Sequence, residues 1–101
     1  MQKAIEACQF GIVRDFAGHG IGRRMHEEPE ILNYGAAGHG PLIKAGMAFA
    51  IEPMITAAGE AVKVLDDGWT AVTVDGSLAA HVEDTVIVTH DGPWVITRVE
   101  Q

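Results

Sequence analysis

The sequence predicts an α+β chain with little helix and a largely antiparallel sheet, and three features carry that prediction. Two β-rich runs, residues 69–74 and 78–89, flank Asp75-Gly76, and an Asp-Gly pair between such runs is a strong hairpin signal. A second pair, Asp91-Gly92, introduces a final strand over residues 94–99. Residues 47–52 form an apolar run closed by Pro53, and the residue before a proline favours extended geometry.

Taken in order, residues 2–9 read as the tail of a helix, with Ala4, Ile5 and Cys8 on one face and Gly11 as its stop. No capping residue precedes them, which leads us to expect further chain upstream. Residues 11–16 are a short strand. A glycine-rich turn follows, Gly18-His19-Gly20-Ile21-Gly22, and then the polar stretch Met25-His26-Glu27-Glu28-Pro29. Residues 33–41 contain Gly35, Gly38, Gly40 and Pro41 and form a loop.

A chain of 101 residues is one domain at most, spanning residues 1–101, and buries roughly two-thirds of its unfolded surface. Its 48% hydrophobic and 21% charged content is that of a globular chain. The net charge of -7 repels phosphate backbones and anionic lipid, and Arg23-Arg24 is the one adjacent basic pair, so nucleic acid and membrane surfaces are not expected partners. A single cysteine, Cys8, makes no internal disulfide and suits a reducing compartment. Neither a membrane-length apolar run nor a signal-peptide core is present. The cytoplasm is the expected location.

Three positions couple a metal-capable side chain to a restricted backbone. His19 lies between Gly18 and Gly20, where glycine permits positive φ or close backbone approach. Glu52 ends the apolar run Ala48-Phe49-Ala50-Ile51, and a carboxylate there is costly to bury unless a cation faces it. Glu83 opens a β-rich run and shares a strand face with Thr85 and Ile87. One histidine and two glutamates on separate segments are able to converge across a sheet as metal ligands. Each alone also has an ordinary structural reading: a turn histidine, a solvated strand end, an edge-strand glutamate.

The motifs taken together resemble the C-terminal half of type I methionine aminopeptidases. Gly18-His19-Gly20-Ile21-Gly22 with Met25-His26-Glu27-Glu28-Pro29 looks like the segment carrying that family's histidine ligand and a second, substrate-contacting histidine. The stretch from Gly46 through Glu52-Pro53-Met54 resembles its glutamate strand. Asp67-Gly68-Trp69-Thr70 resembles its pocket tryptophan segment, and Ala79-Ala80-His81-Val82-Glu83-Asp84-Thr85 its last ligand strand. The order and spacing agree over nearly the whole chain.

The resemblance implies one α+β half of a pseudo-symmetric pita-bread fold, with two divalent ions (Co, Mn, Fe or Zn) between the halves. It implies that His19 and Glu52 ligate one ion, that Glu83 bridges both, and that Glu52 carries a proton. His26 would hydrogen-bond the scissile amide, while Met25, His26 and Trp69 would contact a substrate's N-terminal methionine. The implied reaction is metal-assisted hydrolysis that removes the initiator methionine from nascent proteins.

Three departures qualify it. Asp84 stands where the family usually has histidine, closer to the prolidase pattern, and Met25 replaces the more common phenylalanine. The family's two aspartate ligands and another catalytic histidine come from an upstream half absent from this sequence. Asp15, four residues before His19, is the nearest aspartate and reads as a solvated strand end. The chain alone is therefore expected to be inactive. The alternatives are a non-catalytic binding module, a homodimer pooling two sets of ligands, and a prolidase-like (Xaa-Pro) fragment.

Overall fold

The structure, a computed structural model, describes residues 1–99. Among these residues the fold is α+β, with one short helix and antiparallel strands in three sheets. Helix α1, Gln2–Ala7, is two residues shorter than the sequence predicts, because Gln9 turns to a left-handed φ of 63°. Its apolar face is not buried: Ala4 and Cys8 are exposed and Ile5 is half-covered.

Strands β1 (Gly11–Ile12), β5 (Met54–Thr56) and β8 (Ala79–His81) form a three-stranded sheet with β5 in the centre. The larger sheet orders its strands β10-β9-β4-β2-β3. These are β10 (Gly92–Val95), β9 (Asp84–Thr89), β4 (Ala48–Ile51), β2 (Gly18–Ile21) and β3 (Glu27–Ile31). Strands β6 (Val62–Val64) and β7 (Ala71–Thr73) pair by themselves. The buried apolar residues are few: Ile12 and Val13 by the small sheet, and Phe49, Ala50 and Val86 in the large one.

Several sequence expectations change here. The glycine-rich stretch is a strand rather than a turn, and the polar stretch after it runs into β3. Glycines 18 and 20 are needed for close approach, not for positive φ. A Cβ on Gly18 would come closer than 3.0 Å to the Ala50 carbonyl, and one on Gly20 to that of Glu28. Between these strands the register slips, from His19 opposite Glu30 to Gly20 opposite Glu27, around a cis Glu28-Pro29 bond. The strand predicted over 11–16 is confined to Gly11–Ile12. The last strand is Gly92–Val95, paired with β9 across Asp91-Gly92, and residues 96–99 lie outside it.

The predicted Asp75-Gly76 hairpin is also not formed, because β7 pairs back with β6 while β8 pairs with β5. Asp75 instead accepts the amides of Gly59 (2.8 Å) and Ser77 (2.9 Å), tying the connection between two sheets. The hairpin turn is at Asp67-Gly68. Asp67 accepts the amides of Trp69 and Thr70 at 2.9 and 2.8 Å and the Thr70 hydroxyl at 2.5 Å, while Gly68 takes a φ of 69°.

The Thr70 hydroxyl, then the Thr70 and Trp69 amides, hold the Asp67 carboxyl below the usual aspartate range. A lowered native pKa means that Asp67 contributes its full stabilisation above the ordinary aspartate value of about 3.9 and loses it as pH falls from there through the lowered native value. Asp67→Asn should therefore flatten the fall in urea midpoint between about pH 6 and about pH 3, spanning that value. An unchanged acid limb would show that the turn does not depend on the ionised carboxylate.

The ladder that matters most for function is a broken one. Strands β4 and β9 pair with Ile51 opposite Asp84, and β5 and β8 pair with Met54 opposite His81. Both ladders share one register. They are a single strand pair interrupted over Glu52-Pro53 and Val82-Glu83, where the chain passes from the large sheet to the small one. Pro53 has no N–H to offer a ladder; across the gap the Val82 amide donates to the Pro53 carbonyl at 3.4 Å.

Candidate metal centre

That interruption places two carboxylates face to face. The shared register sets Glu52 opposite Glu83 at the seam, just past the Ile51–Asp84 pair. On the other side of β4, His19 lies opposite Ala50. Residues two apart on a strand share a face, so His19, Ala50, Glu52, Glu83 and Thr85 belong to one face of the strands that meet here. One ligand atom from each of His19, Glu52 and Glu83 lies within 4.8 Å of the others.

The side chains are oriented by the backbone around them. His19 Nδ1 is 2.9 Å from the Gly20 carbonyl, and a carbonyl only accepts, so Nδ1 is the donor. In the neutral ring this leaves the lone pair on Nε2, which faces Glu52 Oε1 at 3.3 Å. The His19 and Glu52 side chains are each 14% exposed, while Glu83 lies at the solvent edge. Two converging carboxylates repel each other, and a ring lone pair beside them adds to the crowding. A divalent cation between them reverses the sign, and a set of one nitrogen and two oxygen donors suits a first-row divalent ion. The residues present therefore fit a metal.

His26 joins this group from just before β3. Its ring centroid is 4.2 Å from that of His19, tilted by 45°. Both rings border an open concavity with Asp15, Arg24 and Glu27 on its rim. Met25 and Trp69 do not border it: Met25 is 73% exposed, and Trp69, 89% exposed, stands on the β6–β7 turn in a separate sheet. Asp15 is exposed and lies outside the three-residue group.

Asp84, the departure next to Glu83, engages the other side of the strand. Its carboxylate accepts from the Thr97 hydroxyl at 2.6 Å and from Arg98 Nη2 and Nε at 2.6 and 3.1 Å. Arg98 and then Thr97 hold its carboxyl below the usual range. It anchors the chain after β10 and takes no part in the three-residue group.

One residue at the seam escaped the sequence reading. His81 Nε2 lies 3.4 Å from Glu52 Oε2. The signal available was its place two residues before Glu83, hence on the same strand face.

The broken antiparallel ladder brings a histidine and two glutamates together as a candidate metal-ligand group. The chain belongs to metallopeptidase family M24, whose profile matches residues 1–90. More particularly, it is similar to methionine aminopeptidases. It is 52% identical over 100 residues to the one from Clostridium perfringens, covering 99% of this chain and 40% of that protein. It is 57% identical over 88 residues to methionine aminopeptidase 1 of Mycobacterium tuberculosis, covering 87% of this chain and 33% of the relative. The crystal structure of the Thermotoga maritima methionine aminopeptidase superposes with a TM-score of 0.92 at 47% identity, over 96% of this chain and 39% of that one. The fold is thus part of the pita-bread fold, and the chain spans about 40% of the length of the C. perfringens relative. Among the described residues no helix is long and apolar enough to cross a membrane.

Proposed function

We propose that this chain is the C-terminal half of a type I methionine aminopeptidase catalytic domain, residues 1–101, and that the whole enzyme removes the N-terminal methionine from nascent proteins in the cytoplasm. The observation that carries this reading is the convergence of His19, Glu52 and Glu83 within 4.8 Å at the seam of two sheets. In this reading His19, Glu52 and Glu83 would hold divalent metal, with Glu83 the residue of this chain available to a second ion. Co, Mn, Fe and Zn all suit the donor set. Such ions polarise a carbonyl and make a bound water acidic near neutral pH.

The chain's own residues do the rest. Glu52, its side chain largely buried at the centre of the site, accepts and returns a proton. His26, against the His19 ring, donates to the scissile amide. Met25 and Trp69 contact the substrate's methionine side chain; both are highly exposed, which supports a pocket completed by further chain. A free, exposed Cys8 suits a reducing compartment.

The second half is needed for chemistry. Three ligands hold one ion, but a second ion has only Glu83 from this chain. The test is hydrolysis of a Met-Ala-Ser peptide with Mn(II), Co(II) or Fe(II), using the chain alone and with the upstream half of a methionine aminopeptidase in trans. No turnover above the metal blank is expected alone, and turnover should appear with the added half. Robust turnover by the chain alone would favour the homodimer; none with the added half would favour a binding module.

The same reading predicts self-association. The accessible surface is 7545 Å², against about 5,500 Å² for a folded monomer of this mass. The radius of gyration is 14.9 Å, against about 13 Å for a domain of this length. Leu42, Ile43 and Leu78 are each more than two-thirds exposed. Sedimentation over a concentration series should show species larger than the monomer; a clean monomer that binds no hydrophobic dye would contradict this.

A further inference from the structure

Glu52 is contacted on both of its oxygens. Oε1 faces His19 Nε2 at 3.3 Å, and Oε2 faces His81 Nε2 at 3.4 Å. The two imidazoles reach it from opposite sides: His19 from β2 in the large sheet, His81 from β8 at the edge of the small one. The strand register explains the second contact. His81 pairs with Met54, two residues beyond Glu52, so it lies diagonal to Glu52 across the interrupted strand pair. Diagonal neighbours are within reach of long side chains. The His81 side chain is 41% exposed and stands outside the three-residue ligand group.

We propose that His81 is a positioning residue for the metal centre: it holds the outer oxygen of Glu52 so that the inner oxygen is presented, beside His19 Nε2, to the ion. The proposal rests on the metal-centre reading above. An ionised carboxylate has only lone pairs to offer, so the attractive arrangement has an N–H on His81 Nε2. With Oε2 held, rotation of the carboxylate about its terminal torsion, which is otherwise broad, is restricted before the ion arrives. Glu52 needs such an anchor more than an ordinary strand glutamate does. It sits where the ladder is broken and is followed by a proline, so the backbone there lacks the regular hydrogen bonds that would fix it. Metal-ligating carboxylates are commonly held by an outer partner of this kind, and losing one costs about 10–100-fold in metal affinity.

The experiment is Co(II) binding to the full chain, followed by calorimetry and by the visible absorption of the bound ion, for wild type, His81→Leu and His81→Gln. Leucine keeps bulk without a donor, and glutamine restores a donor at the end of a side chain of similar reach. Thermal melts of the metal-free proteins report on strand β8 separately. The expected result is a Co(II) Kd raised about 10–100-fold in His81→Leu, a changed absorption envelope, recovery of most of the affinity in His81→Gln, and similar metal-free melts for all three. Wild-type affinity in His81→Leu would overturn the proposal. So would a glutamine variant that binds as weakly as the leucine one, or a loss of affinity matched by a loss of the metal-free fold. A wild-type chain that binds no Co(II) would remove the metal centre itself, and this inference with it.

Discussion

Glu52→Ala should abolish divalent-ion binding at the proposed centre and leave the fold standing. Glu52 is in contact with both His19 and His81 and is one of three candidate ligands whose atoms lie within 4.8 Å of one another. Without it, His19 faces only Glu83, which is exposed, and two ligands are too few to hold a divalent ion against water. Co(II) affinity should fall by more than the roughly 10–100-fold that follows loss of an outer partner. With the upstream half supplied, Met-peptide hydrolysis should fall at least about 10³-fold, since removing a single charge-stabilising donor already costs about 10²–10³. The metal-free melt should hold steady or rise, because the substitution relieves carboxylate repulsion between Glu52 and Glu83. Calorimetry, the peptide assay and a melt on one preparation decide it. Unchanged Co(II) affinity would show that the three residues converge for some other reason.

Gly18→Ala should do the reverse, disrupting the fold and the site with it. The new Cβ would lie closer than 3.0 Å to the Ala50 carbonyl, inside the β2–β4 ladder where His19 pairs with Ala50. A backbone carbonyl has no rotamer through which to yield, so the strands must separate. Overpacking of this kind costs about 1–3 kcal/mol or more, a large share of the 5–15 kcal/mol typical of a domain. Few residues are present to absorb it, since Ile12, Val13, Phe49, Ala50 and Val86 make up the buried apolar core. At roughly 4–8 °C per kcal/mol in a chain of this size, the melt should drop by about 10 °C or more, and Co(II) binding should weaken as His19 is displaced. Gly38→Ala is the control. Its φ is 82° and nothing lies near its Cβ, so it should cost only the roughly 1–2 kcal/mol of a left-handed residue and leave the metal site intact. A Gly18→Ala protein that melts like wild type would mean that the strands have room that their registers deny.

The sequence by itself determined the class of the fold, because strand-forming runs and Asp-Gly turns are local signals. It also determined the identities of the candidate ligands: His19 stands out between glycines, and Glu52 is out of place at the end of an apolar strand. Pro53 was legible as a strand end. What it means for the site was not, because proline breaks a ladder only when a partner strand is there to be paired. Local signals misled where pairing was the deciding factor. Asp75-Gly76 has the composition of a hairpin, yet β7 turns back on β6 through Asp67 and leaves Asp75 to bridge two sheets. Residues 18–22 look like a turn, yet their glycines serve to let β2 lie against β3 and β4. Only the tertiary structure decided that Glu52 faces Glu83, that His19 joins them, that His26 lies against His19, and that His81 reaches the far oxygen of Glu52. Each of these depends on the register between strands distant in sequence. Register is set by which side chains the sheet can cover and where a missing N–H interrupts it, and no local window contains that information.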